Sequence, residues 1–246
     1  MLVLESGGKR LMVDAGFSCR EIEKRLAKVG IDRADFEGLI LTHEHSDHTR
    51  GVKRFARRNG VPVYATAGTL EELDLPDNGL EIHTLRSGRP AEVGSFAVEP
   101  FSVPHDAREP IGVVVQDRQG RRVGLVADLG TRSQLAWGRL TDLDALILES
   151  NHDLDMLRSG PYPWPLKQRV ASRHGHLSNR EAAAGIGELD TSHLQWVVLY
   201  HLSRTNNLPV LALESVGEAL TRESSPAQIC VTNQFEPTPW MEVAPR

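Results

Sequence analysis

An α+β fold with two sheets and helices packed outside them is what this sequence predicts, and three observations predict it. Ten short apolar runs of strand length recur along the chain, five longer segments carry helical spacing, and Gly/Asp/Pro turns separate them. Residues 81–127 read mostly as a succession of strands, whereas in the second half strands alternate with helices. The chain has 246 residues with 40% apolar content, enough to bury a large core, and no repeat or long linker divides it. A single domain over 1–246 is expected. Such a list packs naturally as two sheets with helices outside.

Taken in order, the strands are expected at 11–13, 39–41, 62–64, 81–85, 96–103, 112–116, 122–127, 145–148, 196–200 and 228–231. Helices are expected at 19–28, 47–59, 164–172, 179–189 and 210–220. In the first helix Ile22, Leu26 and Val29 fall on one face, with Arg20, Lys24, Arg25 and Lys28 elsewhere. Ser18 is placed to cap it, with Glu21 three residues later as the reciprocal partner.

Composition narrows the function. With 28 basic against 33 acidic residues the net charge is -5, which excludes a global basic coat but not a local basic face. Two cysteines, Cys19 and Cys230, form neither a disulfide framework nor a four-thiolate metal site and fit a reducing cytoplasm. The N-terminus turns polar after four residues, so a signal-peptide core is not expected. The apolar run at 196–200 is far short of the roughly 18 residues of a membrane span. There is no Gly-rich phosphate loop and no dinucleotide fingerprint, so no cofactor other than metal is indicated.

Ten histidines carry the strongest signal. The string Leu41-Thr42-His43-Glu44-His45-Ser46-Asp47-His48 ends an apolar strand with four potential ligands inside six residues. In extended backbone His43 and His45 project to the same side and can share an ion, while Asp47 and His48 enter a helix and can face a second ion. The alternative is a surface histidine cluster with Asp47 as a helix cap. Further metal-type side chains follow other strands: His105 after 96–103, Asp128 after 122–127, and His201 after 196–200. Each alone is more often a turn or core residue; their recurrence at strand ends is harder to dismiss.

Asp14 in Leu-Met-Val-Asp-Ala-Gly, the His43–His48 block, His105, Asp128 and His201 resemble, in order, the five motifs of the metallo-β-lactamase fold. The resemblance implies a four-layer αβ/βα sandwich and a two-metal site. It implies that His43, His45 and His105 hold one ion, that Asp47, His48 and His201 hold the other, that Asp128 bridges them, and that Asp14 orients the block. Imidazole and carboxylate without thiolate suit Zn²⁺, Mn²⁺ or Fe, two ions per chain.

Longer strings narrow the resemblance to the YycJ/WalJ-type nucleases, relatives of the tRNA 3′-processing enzymes. These are Asp14-Ala-Gly-Phe-Ser-Cys-Arg, His105-Asp-Ala-Arg-Glu-Pro-Ile-Gly, Leu148-Glu-Ser-Asn-His-Asp, Gly160-Pro-Tyr-Pro-Trp-Pro-Leu-Lys-Gln-Arg, Gly175-His-Leu-Ser-Asn and His201-Leu-Ser-Arg-Thr-Asn-Asn. The family carries an additional strand before the segment equivalent to Leu2–Glu5, so the expected sandwich lacks its first N-terminal strand, through a late start or a true loss. His176 resembles the proton-donor histidine of the RNA-processing relatives and Glu149 the glutamate that accompanies it; an imidazole near neutral pKa suits protonation of an alkoxide leaving group. Asp47, Glu149 and His176 make the expected catalytic set. A hydroxide shared by two ions roughly 3.5–4 Å apart is the implied nucleophile.

Arg50, Arg54 and Arg57, beside Lys53 and Arg58, decorate the expected helix 47–59 and can track a phosphate backbone or merely form a solvated face. Arg108, Lys167, Arg169, Ser203, Asn206 and Asn207 fall in the family strings and are candidate substrate contacts. The expected function is a metal-dependent 5′→3′ exonuclease on duplex DNA. The alternatives are a dinuclear hydrolase of small thioesters or lactones, and a non-catalytic metal-binding regulator. Nothing in the sequence sets the oligomeric state.

Overall fold

The computed structural model describes residues 1–31, 36–73, 75 and 79–245, and the chain separates into two compact units. The first comprises 1–102 and 107–120. It opens with a hairpin of β1 (Leu2–Ser6) and β2 (Lys9–Val13), turned by Gly7 and Gly8, both at positive φ. Such a turn favours glycine, which has no Cβ to clash there. Then follow α1 (Cys19–Lys28), β3 (Phe36–Ile40), α2 (Ser46–Thr49), α3 (Val52–Asn59), β4 (Val63–Thr66), α4 (Ala67–Leu73) and β5 (Ile82–Leu85). The strands lie in the order β1-β2-β3-β4-β5, parallel from β2 onward. The inner faces of β2 and β3 pack with Ile22 and Leu26 of α1 and Phe55 of α3 in one apolar core. β6 (Ala91–Val93), β7 (Phe96–Ser102) and β8 (Ile111–Gln116) form an antiparallel meander.

The second unit comprises 103–106 and 121–246. Its elements are β9 (Arg122–Val126), α5 (Gln134–Trp137), β10 (Ala145–Glu149), α6 (Leu154–Ser159), α7 (Trp164–Val170), α8 (Asn179–Ile186), β11 (Trp196–Tyr200), α9 (Pro209–Arg222) and β12 (Gln228–Val231). The strands run parallel in the order β12-β11-β10-β9. β10 is buried at all five positions, as its unbroken apolar run requires of an inner parallel strand. All these strands point the same way, so the residues that follow β9, β10 and β11 gather at one edge.

The expected strands are present with ends moved by one to three residues, and 196–200 and 228–231 match residue for residue. Strands β1 and β6 and helices α4, α5 and α6 were not anticipated; all are short, and β1 and β6 are edge strands. The helix expected over 47–59 is two helices. Gly51 interrupts it, donating to the Ala15 carbonyl at 2.8 Å, and a Cβ there would lie 2.3 Å from the Phe17 carbonyl oxygen. Arg50 therefore does not share a helix with Arg54 and Arg57. The cap on α1 is half as expected: Ser18 Oγ accepts from Glu21 N at 3.3 Å, but the Glu21 carboxylate accepts from Arg25 Nε at 2.9 Å. No helix among the described residues is long and apolar enough to cross a membrane.

Candidate active site

In the first unit, parallel β2 and β3 end side by side and deliver Asp14 and the segment from Thr42 onward to one point. Asp14 is buried, at φ 59, and its two carboxylate oxygens receive three donors. The Thr42 N–H donates to Oδ1 at 2.9 Å, the Thr42 hydroxyl to Oδ2 at 2.9 Å, and His48 Nδ1 lies 2.8 Å from Oδ2. Burial raises the Asp14 pKa, but His48 outweighs it and holds the carboxyl below its ordinary value. Thr42 Oγ1 also lies 3.0 Å from His43 Nδ1. With both Nδ1 atoms engaged, His43 and His48 present their Nε2 atoms as ligands, ring centroids 4.2 Å apart, with His45 edge-on to His43 at 4.6 Å. The Ala15 N–H donates to the His48 carbonyl at 2.7 Å, and a Cβ on Gly16 would sit 1.4 Å from the Asp47 carbonyl oxygen, so only glycine allows the two loops to close together. The Asp47 side chain is 65% exposed.

In the second unit, Asp128 follows β9, Glu149 ends β10 and His201 follows β11; His176 precedes α8. Asp128 and His201 adopt left-handed backbone, φ 51 and 59. Glu149 is fully buried and takes four donors: the N–H groups of Leu129 and Leu177 at Oε2 (2.8 and 3.1 Å), and Nδ1 of His176 and His201 at Oε1 (2.8 and 3.0 Å). Asp128 Oδ1 lies 3.1 and 3.0 Å from the same two Nδ1 atoms. Burial raises the Glu149 pKa, but His176 and His201 overcome it and bring it to about 2. Burial lowers His176, yet Glu149 and Asp128 push it up to about 10. His105 Nδ1 donates to the Gly175 carbonyl at 3.1 Å, its Nε2 lies 3.3 Å from Asp106 Oδ1, and burial lowers its pKa.

The donor set suits a divalent cation. Asp128, Glu149, His176 and His201 offer ligand atoms all within 4.8 Å of one another, and His43, His48 and His105 each have Nδ1 beside an oxygen, which fixes the ring and leaves Nε2 to coordinate.

The other candidate residues are placed less centrally. Arg50, Lys53, Arg54, Arg57 and Arg58 are exposed, and Arg58 pairs with Glu23 at 3.5 Å. Arg108 is exposed, its N–H donating to Glu44 Oε1 at 2.7 Å and its guanidinium 3.7 Å from Glu71. Lys167 Nζ donates to the Arg158 carbonyl at 2.6 Å, and Arg169 Nε to Asp106 Oδ2 at 2.6 Å. Ser203 Oγ accepts from the N–H groups of Thr205 and Asn206 at 3.3 and 3.1 Å. Asn206 and Asn207 are buried, 1% and 4% exposed, and the Asn207 amide is consumed by protein partners. Thr42, Asn151 and Asn179 were missed by sequence reasoning. The signal for Thr42 was a hydroxyl directly before the ligand block; for the two asparagines it was their place in the strings Leu148-Glu-Ser-Asn-His-Asp and Gly175-His-Leu-Ser-Asn.

The chain is similar to known proteins along most of its length. A Beta-lactamase superfamily domain matches residues 9–202. The exodeoxyribonuclease YycJ of Bacillus anthracis is 35% identical over 225 residues, covering 89% of this chain and 84% of the relative. The exodeoxyribonuclease WalJ of Streptococcus pneumoniae serotype 2 (strain D39) is 34% identical over 214 residues, covering 85% and 79%. Among solved structures, the metallo-β-lactamase fold protein YhfI from Bacillus subtilis superposes with a TM-score of 0.69 at 19% identity, over 94% of this chain and 87% of that one. The short form of human tRNase Z gives 0.62 at 17% identity, over 95% and 89%. Motifs, fold and long-range similarity converge: the chain belongs to the β-lactamase superfamily, with the metallo-β-lactamase fold, and within it to the YycJ/WalJ family.

Proposed function

We propose that this protein is a metal-dependent phosphodiester hydrolase that degrades duplex DNA from 5′ ends, working as one domain over 1–246 in the cytoplasm. The observation that carries this reading is similarity, along most of the chain, to two proteins named exodeoxyribonucleases, in a sequence that keeps every ligand-type residue of the motifs. His43, His45 and His105 would hold one cation and Asp47, His48 and His201 a second, with Asp128 as a further ligand; Zn²⁺ and Mn²⁺ fit these donors, and Fe is compatible. When bound, such ions acidify water and neutralise charge at phosphorus.

The chain's own residues do the rest. Glu149 takes Nδ1 of His176, so the Nε2–H of that ring is the proton to be given to the leaving oxygen. The Leu129 and Leu177 N–H groups fix the Glu149 carboxylate, which fixes His176 in turn. Asp47, whose side chain is largely exposed, belongs to the same catalytic set. Asp14 and Thr42 keep the rings of His43 and His48 turned to present Nε2. Arg50, Arg54, Arg57, Arg108, Lys167 and Ser203 contact the phosphate backbone.

The test is to incubate Mn²⁺- or Zn²⁺-loaded protein with 5′-labelled duplex DNA, single-stranded RNA and a thioester. Release of label from duplex ends is expected; turnover of the thioester alone would reverse the reading. His176→Ala should slow DNA cleavage about 10²-fold or more with metal content intact.

A further inference from the structure

We infer that Asn151, with Asn179 and Asn207, is a positioning device for His201 and His176. Like the function just proposed, this inference treats His201 as a ligand, and its test is built so that the two can fail separately. His201 sits in left-handed backbone at φ 59, a conformation that is strained for a non-glycine residue and persists only where its surroundings impose it. What imposes it is Asn151. Its Nδ2 donates to the His201 carbonyl at 2.9 Å, its N–H donates to the Leu177 carbonyl at 2.8 Å, and its own carbonyl accepts from the Ser203 N–H at 2.8 Å. One residue thus ties the loop after β10 to the segment carrying His176 and to the loop carrying His201.

Asn151 is itself held by a second layer. Asn207 Nδ2 reaches the carbonyls of Ser150 and Asn151 at 2.9 and 3.1 Å. Asn207 and Asn179 exchange amide hydrogen bonds at 2.8 and 2.9 Å, Ser150 Oγ donates to Asn179 Oδ1 at 2.7 Å, and the Asn179 N–H donates to the His152 carbonyl at 2.9 Å. Ser150, Asn151, Asn179 and Asn207 are all buried. Stability alone does not call for this set, because buried amides confer little that packed leucine would not. Asn179 and Asn207 each donate and accept through one amide, Asn151 donates through its own, and a neutral group adds no charge beside Glu149. The network fixes angles; that is its use.

The experiment replaces Asn151→Ala in the full chain and reads the imidazole nitrogens of ¹⁵N-histidine-labelled protein by NMR, with Zn²⁺ titrated by calorimetry. The His201 ring signals are expected to move, Zn²⁺ affinity to fall about 10–100-fold, and kcat on duplex DNA to fall by a similar factor with KM within twofold. His201 signals in place with Zn²⁺ affinity within twofold would overturn the inference. Should Asn151→Ala not fold, Asn151→Ser, too short to reach the His201 carbonyl, gives the same reading. If the wild-type protein leaves DNA intact, the proposed function fails, while the ring signals and the Zn²⁺ titration, which need no substrate, still decide the role of Asn151.

Discussion

The two units orient their histidines by different means. In the first, one buried carboxylate and one hydroxyl serve the block: Asp14 takes His48, Thr42 reaches His43, and the loops are locked backbone to backbone through Ala15, Gly16 and Asp47. In the second, two carboxylates face two imidazoles, Glu149 receives both rings, and side-chain amides join backbone bonds in holding the loops in place. The first arrangement depends on shape and the second on charge and hydrogen bonding. The same substitution logic therefore predicts different failures in each.

The largest effect belongs to the backbone lock. Gly16→Ala would drive a Cβ to 1.4 Å from the Asp47 carbonyl oxygen and 2.3 Å from its carbon. Both are main-chain atoms of the ligand block, so no side chain can swing away. We expect a loss of about 3 kcal/mol or more, read by urea denaturation, together with loss of metal binding. A variant of wild-type stability would show that the lock is not rigid.

Removing the carboxylates tests the comparison directly. Glu149→Gln removes one of the two carboxylates that the two imidazoles share, whereas Asp14→Asn disturbs one imidazole and a threonine. Breaking a buried charge pair costs about 3–5 kcal/mol, so Glu149→Gln should be the more destabilised of the two. It should also lose more Zn²⁺ affinity by calorimetry, within the 10–100-fold range of groups that orient ligands. The reverse ranking would place the heavier burden on Asp14.

The same contrast explains what could be read in the sequence. The first cluster was legible because its ligands are packed into six residues after a strand, where periodicity alone sets which side chains share a side. Asp14, His105, Asp128 and His201 were legible as metal-type residues at strand ends. The Asn151–Asn179–Asn207 set was not, since nothing in an asparagine's neighbours announces a partner 28 or 56 residues away. Asn207 was expected at the substrate because it lies in a family string beside His201; its polar atoms are spent inside the protein. The break at Gly51 was hidden too, because helical spacing continues across it and only the approach of the Phe17 carbonyl forbids a side chain.

Acid sensitivity separates the second unit from the first at a residue outside both clusters. His152 is buried, its Nδ1 has no hydrogen-bond partner among the described residues, and burial lowers its pKa from 6.5 to about 4. The unfolded chain therefore takes up a proton near pH 6.5 that the folded chain refuses until about pH 4. This stabilisation is complete above pH 6.5 and is lost as pH falls toward 4, by up to about 1.4 kcal/mol per pH unit. In urea titrations at pH 7.5 and 5.0, His152→Leu should lose less stability than wild type. Parallel losses in the two proteins would mean that His152 is protonated in the folded state.

The smallest effect is a control on the largest. Gly217 lies within α9, and a Cβ there meets nothing within 4 Å. Gly217→Ala removes backbone freedom from the unfolded chain without introducing a contact, so it should stabilise by about 0.5–1 kcal/mol. Set against Gly16→Ala, the same added methyl group then has opposite signs in the two units, and the difference is the carbonyl of Asp47. Thermal unfolding of both variants reads it. A Gly217→Ala protein that melts below wild type would mean that α9 is packed on that face more closely than its open surroundings indicate.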